Sequence, residues 1–397
     1  MKRIITILLL CVTVLCTNAN DGVFYASGNQ LIPITETDIS VRKEVLTLNR
    51  VGDHIEVTVY YEFFNPVGEK ELLVGFEAEA PYNGNDPLST FPRHPHIRNF
   101  KVLLNDKPLT YKVAHVETHR YDEEGGLIPT QYYTNGRFQS WSRQKIAGAL
   151  RAQDFSECPI DYVYHFTAKF RPGRNIIRHT YDFDLSESVE EVFYFPYVLT
   201  AANRWANHQI DDFTLNINLG DRTSFHLFPE FFQSADEWSI LGKGKVTMDT
   251  VWGFTNTRNT PVFHIREGGI AFHKANFHPE GELRINQRRD WTLASWTWGN
   301  IDDDDWDAES ILSSFKDQYY PLPVSVNRED ELYPAFNPGQ RRILKNLPFA
   351  YRGYIFKNKS LQDYFESTNW YLPNPDYDGN MDALSAEERK WVEFWSN

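Results

Sequence analysis

Cysteine is almost absent from this chain. Of its three cysteines, Cys11 and Cys16 fall in the first sixteen residues and Cys158 stands alone in the rest. A mature chain without the first segment has no second thiol for an intramolecular disulfide, so the stapled small-domain strategy is excluded. Positive charge is scarce as well: 40 Lys and Arg stand against 54 Asp and Glu, a formal net charge of −14. Such a surface opposes nucleic acid and anionic lipid, both of which require basic patches. Beyond residue 20 no apolar run approaches the roughly twenty residues that a membrane-spanning helix needs. G-x-S-x-G, the P-loop and the dinucleotide fingerprint are also missing, which removes the reactions those motifs announce.

The first nineteen residues have the parts of an export signal. Lys2 and Arg3 precede an apolar run from Ile4 to Leu15, and Thr17-Asn18-Ala19 offers small residues at a cleavage site. Residues 1–19 are therefore expected to be a signal peptide, leaving about 378 residues in the periplasm or outside the cell. Leu10 and Leu15 precede the two early cysteines, where lipoprotein processing prefers a small residue.

From about residue 38 to 290 strict alternation dominates. Ile55, Val57, Val59, Tyr61 and Phe63 alternate with polar neighbours, as do Tyr162, Tyr164, Phe166, Ala168 and Phe170, and then Phe213, Leu215, Ile217 and Leu219. Asn65-Pro66-Val67-Gly68, Asn105-Asp106-Lys107-Pro108 and Arg171-Pro172-Gly173-Arg174 punctuate the runs. The pattern predicts a mostly β protein: an antiparallel β-sandwich body over 20–300, one sandwich or two with a break near 185–210. A long excursion is expected at 119–140 and a short helix within 141–156. Residues 301–321 read as an acidic, partly helical linker, and 322–397 as a small helical module. Asn337-Pro338 and Ser385-Ala386-Glu387-Glu388 are helix starts there, and Ser360-Leu361-Gln362-Asp363 is a third candidate.

This last stretch resembles the YARHG domain, a module of exported bacterial proteins. Lys345-Asn346, Phe349-Ala350, Gly353-Tyr354, Phe356, Leu361, Tyr364-Phe365 and Trp370-Tyr371 with Pro373 carry the resemblance. Tyr351-Arg352 stands where the family has Arg-His. The resemblance implies fold and export and brings no reaction with it. Residues 21–300 resemble, through Ile55–Phe64 and Tyr197–Leu215, a family of uncharacterised exported bacterial proteins, with the same implication.

Three patterns are candidates for chemistry. His115, Glu117 and His119 alternate, so on a strand they share one face and could hold a divalent metal. Asp303, Asp305 and Asp307 open like a calcium loop, but Ala308 and Ser314 replace the glycine and glutamate that would complete it. Aromatic residues make up 15% of the chain. Tyr132 and Tyr133 in the excursion, and Trp296 and Trp298 on an expected strand face, are candidates for stacking on a sugar. No cofactor is implied beyond a divalent cation. The reading is an exported, non-catalytic binding or scaffolding protein of the bacterial envelope, whose partner is an envelope protein or a glycan. The alternative is a secreted metal-dependent or glycan-acting hydrolase.

Overall fold

The computed structural model describes residues 37–78, 88–117, 142–152, 160–185, 191–252, 257–298, 307–322 and 336–396, with 31–33, 120–121, 127–128 and residue 187. Residues 1–19, expected to be an export signal, and His119, Tyr132, Tyr133, Asp303 and Asp305 lie outside the described residues.

The strands in chain order are β1 (Leu31–Pro33), β2 (Ser40–Val51), β3 (His54–Asn65), β4 (Lys70–Ala78), β5 (Ile97–Leu104), β6 (Lys107–Pro108), β7 (Lys112–Glu117), β8 (Arg120–Tyr121) and β9 (Leu127–Ile128). After α1 (Arg143–Ala152) come β10 (Ile160–Phe170), β11 (Gly173–Asp184), β12 (Glu191–Tyr197), β13 (Ile210–Asn218), β14 (Thr223–Leu227), β15 (Trp238–Trp252), β16 (Thr257–Phe277) and β17 (Leu283–Arg288). The helices α2 (Trp291–Trp298), α3 (Ala308–Ser314), α4 (Pro338–Tyr351), α5 (Lys359–Glu366) and α6 (Ala386–Phe394) follow.

Alternation does what it predicts. On β3 the residues Ile55, Val57, Val59, Tyr61 and Phe63 are at most 1% exposed, and the polar set between them points away. A four-stranded sheet, β1-β4-β10-β7, packs its apolar face against the β2-β3-β11-β5 part of a larger sheet, and their side chains form one core. The larger sheet continues from β2 into β13, then β16, β14, β17 and β12. One pairing departs from the antiparallel expectation: β2 and β13 run parallel, with Val45 opposite Thr214. The long stretch of chain between them, from Val51 to Ile210, is ample for the crossover that a parallel pair requires.

The second half of the sheet folds over at a corner in the β15–β16 ribbon, where Gly242 and Gly268 face each other. Their φ angles are +131° and +93°. A Cβ at Gly268 would lie 2.0 Å from the Leu241 carbonyl oxygen, and one at Gly242 2.2 Å from that of Glu267. Backbones that close at a left-handed conformation admit no side chain.

The helices share a second core. Leu293 and Trp296 of α2, Ile311 and Leu312 of α3, Leu344 and Leu347 of α4, Phe365 of α5 and Trp391 of α6 meet there with Phe315, Tyr319 and Trp370. Asn337 caps α4 and Ser385 caps α6, each in a capping box, as their sequences announce. Helix α5 starts earlier than expected: Asn358 is its cap, accepting the Leu361 N–H at 3.1 Å, and Ser360 is already inside. Trp296 and Trp298 belong to helix α2 rather than a strand. The side chain of Asp290 accepts the Leu293 N–H at 2.9 Å and starts the helix, and the i, i+3 pair Leu293 and Trp296 faces the core.

Candidate functional site

The helical module sits on a sheet face that alternation marks as wet. Ser224 and His226 of β14, Lys245, Thr247 and Asp249 of β15, His264 and Arg266 of β16, and Asn286 of β17 project from that face. Ser224, His226, His264, Arg266 and Asn286 are all at most 5% exposed. Buried polar groups are paired as a rule. Here some partners come from the covering helical core and others from the β body, where Asn286 Nδ2 donates to Glu191 at 2.6 Å. His226 Nδ1 and Asn286 Oδ1 have none among the described residues. The Tyr319 N–H donates to Ser224 Oγ at 2.9 Å, Gln287 Nε2 donates to the Tyr319 carbonyl at 2.7 Å, and Lys245 Nζ donates to the Thr368 carbonyl at 3.1 Å.

Within this layer Ser224 Oγ lies 2.8 Å from His264 Nδ1, and His264 Nε2 lies 2.8 Å from Thr247 Oγ1. The outline is that of a nucleophile and its base, but the third member is a hydroxyl rather than a carboxylate, and Ser224 is fully buried. Burial pushes the imidazole down to about 3, so the ring is neutral. Each ring nitrogen faces a hydroxyl, which can donate or accept, so either neutral tautomer of the ring is satisfied. The trio is a strut. Beside it His226 Nε2 pairs with Asp249 at 3.0 Å, and burial, with Asp290 and Asp249 nearby, raises the carboxyl of Asp317 above its ordinary range.

At the edge of this junction lies a groove of about 490 Å³. One wall is the corner ribbon, with Lys243, Arg266 and Glu267, and the other is the segment from Leu372 to Asp376. Arg266 bridges the two: Nη1 donates to the carbonyls of Leu372 at 3.0 Å and Pro373 at 3.1 Å, and Nε reaches Glu267 at 3.2 Å. The approach depends on Gly353, whose φ is +81° and whose Cβ would stand 2.2 Å from the Leu372 oxygen and 2.9 Å from Arg266 Nη1. Lys243, Glu267, Pro373, Pro375 and Asp376 are exposed, so the groove offers charges of both signs, the Asn374 amide and two proline rings.

The motif positions of the helical module all do packing work. Ala350, Phe365 and Trp370 are fully buried, Phe356 and Tyr371 nearly so, and Phe349, Tyr354 and Tyr364 line the same core. Trp370 Nε1 donates to the Phe315 carbonyl at 2.8 Å, and Tyr319 Oη donates to that of Trp370 at 3.0 Å. Residues 336–396 match the YARHG domain. Where the family has Arg-His, this YARHG domain has Tyr351 donating its hydroxyl to the Tyr320 carbonyl at 3.0 Å, and Arg352. The guanidinium of Arg352 forks onto both oxygens of Glu388 at 2.7 Å each, tying α4 to α6. No curated protein matches the chain. Among solved structures it is similar to a "putative nutrient binding protein" from Legionella pneumophila subsp. pneumophila str. Philadelphia 1. That similarity has 17% identity and a TM-score of 0.48, and covers 94% of this chain and 97% of the other.

The remaining candidates scatter. His115 on β7 is 1% exposed, stacks on Phe91 with ring centroids 4.5 Å apart, and has Nε2 3.0 Å from the Pro92 carbonyl. Its ring and that of His94 both contact Tyr162, at 5.0 and 4.9 Å. Glu117 closes the same strand. Asp307 is the N-cap of α3, accepting the Ser310 N–H at 2.8 Å. Trp296 is 2% exposed, inside the helical core. Among the described residues, the histidine and acidic groups placed closely enough to share a metal are His54, Glu56 and Asp182. Sequence reasoning passed over that set, although His54-Ile55-Glu56 repeats the His-x-Glu spacing of His115 and Glu117. The third ligand comes from a strand 126 residues away and has no local signal. No helix among the described residues is long and apolar enough to cross a membrane.

Proposed function

We propose that this chain is an exported, non-catalytic protein of the bacterial envelope that acts by binding, with the groove between the β15–β16 corner and residues 372–376 as its contact surface. The observation that carries the proposal is the bridge made by Arg266. It fixes the two walls against each other and holds Glu267, while Lys243 and Asp376 are exposed on the two walls. Paired charges, an amide and proline rings suit a hydroxyl-rich partner of mixed polarity, and an envelope glycan is the class we assign.

The test is a thermal-shift screen of the purified chain against peptidoglycan fragments and common glycans, followed by calorimetry. A fragment present at about a hundred times its Kd should raise the melting temperature by about 3 °C. Lys243→Glu and Asp376→Lys should each weaken that fragment at least tenfold, about 1.4 kcal/mol. Binding that survives both charge reversals places the ligand elsewhere and overturns the assignment of the groove. Turnover of the fragment would replace the binding reading with the hydrolase alternative. Export is checked by fractionation: a chain beginning at Asn20 in the extracytoplasmic fraction supports it, and an uncleaved cytoplasmic chain defeats it.

A further inference from the structure

We propose that His54, Glu56 and Asp182 hold a first-row divalent cation on the outer face of the first sandwich. His54 and Glu56 are two apart on β3 and so share a face, and Asp182 on β11 stands directly opposite Glu56 in the ladder. One ligand atom from each lies within 4.8 Å of the other two. Like charges directly opposed across two strands destabilise a sheet. Among the described residues no Lys or Arg forms an ion pair with either carboxylate. Arg98 stands opposite Asp182 in the ladder and its charge bears on that carboxylate, but its hydrogen bonds go to Asp184, with Nε at 2.8 and 2.9 Å from the two oxygens.

The surroundings fit a ligand set. Asn99 Nδ2 donates to Asp182 Oδ2 at 2.6 Å and so orients that carboxylate, and Asp53 Oδ1 lies 3.5 Å from His54 Nδ1 and adds negative charge beside the ring. Both strands are central in their sheet, between β2 and β5, which holds the ligands more tightly than a loop would. One imidazole and two carboxylates with open positions suit zinc or its first-row neighbours. Calcium takes six to eight oxygens and is a poor match. The site is separate from the groove, since β13 and β2 lie between β3 and the corner ribbon.

The experiment is calorimetric titration of the chelator-treated, purified chain with Zn²⁺ and, separately, Ca²⁺, with metal content measured after dialysis. One equivalent of Zn²⁺ is expected, bound at least tenfold more tightly than Ca²⁺. Asp182→Asn and Glu56→Gln should each weaken Zn²⁺ at least tenfold, and His115→Ala should leave it unchanged. Without metal, Glu56→Gln should melt at or above the parent temperature, because it removes the opposed charge, and this also shows that the variant folds. No Zn²⁺ uptake, uptake unaffected by the two carboxylate variants, or preference for Ca²⁺ would each overturn the proposal.

Discussion

Two histidines, one in each half of the β body, are equally buried and differently served. His179 on β11 and His264 on β16 are both fully buried, and desolvation pushes both imidazoles down to about 3. His264 has a hydroxyl on each ring nitrogen. His179 lies among Tyr61, Phe76, Phe100 and Tyr181, and neither of its nitrogens has a hydrogen-bond partner among the described residues. The first sandwich closes over apolar side chains, so a polar ring inside it loses water and gains only packing. At the junction the neighbouring strands give His264 a hydroxyl on each side, and the covering helical core adds the Tyr319 N–H on Ser224, so this ring keeps its partners. On the same face His226 Nδ1 and Asn286 Oδ1 have none among the described residues. Depth is the same in the two places. The side chains beside each ring decide the cost.

The strongest way to break this contrast is to remove what covers the junction. Trp370 is fully buried against Tyr319, Tyr351 and Phe365, and its carbonyl receives the Tyr319 hydroxyl. Trp370→Ala should cost about 3–5 kcal/mol in urea unfolding. It should also loosen Tyr319, and with it the N–H that Ser224 accepts, so amide exchange should rise at residue 319. A loss below about 1 kcal/mol would show that the module is not anchored through this ring.

Next in size is the paired comparison. His264→Leu strips a partner from both Ser224 and Thr247 in a sealed layer, and a loss of about 2–3 kcal/mol is expected. His179→Leu removes a ring that makes no hydrogen bond, and the change should stay within about 1 kcal/mol of zero. Equal losses in the two variants would mean that the hydroxyl partners of His264 contribute nothing.

The same contrast explains what could be read from the sequence. Strand existence was legible because Ile55 to Phe63 and Tyr162 to Phe170 repeat with period two, and the two capping boxes fall where Asn337 and Ser385 announce them. The YARHG match was legible because its aromatic residues keep their spacing. Period two, however, only separates two faces and does not say what lies on the polar one. Ser224, His264 and Arg266 look like any solvated set until Tyr319, Leu372 and Pro373 are placed over them. Trp296 misled because Trp-x-Trp spacing fits a strand as readily as a short helix with no charged residue. The deciding residue was Asp290, a cap one position before the first tryptophan. The groove was invisible for a related reason: its two walls are more than a hundred residues apart.

The smallest expected effect separates titration from pairing. An imidazole near 6.5 in the unfolded chain and near 3 in the fold takes up a proton on unfolding. Each of the two histidines therefore contributes stability that is fully present above about pH 6.5 and is lost as the pH falls from there towards about 3. Between pH 7 and pH 6 the loss is about 0.7 kcal/mol for each histidine. His179→Leu and His264→Leu should each remove one such share, so the drop in unfolding free energy over that unit of pH should shrink by about 0.7 kcal/mol in either variant. The two variants should agree here even though they differ at pH 7, because proton uptake depends on burial while stability depends on partners. A pH dependence unchanged from the parent in either variant would show that the histidine it lacks is not held neutral by the fold.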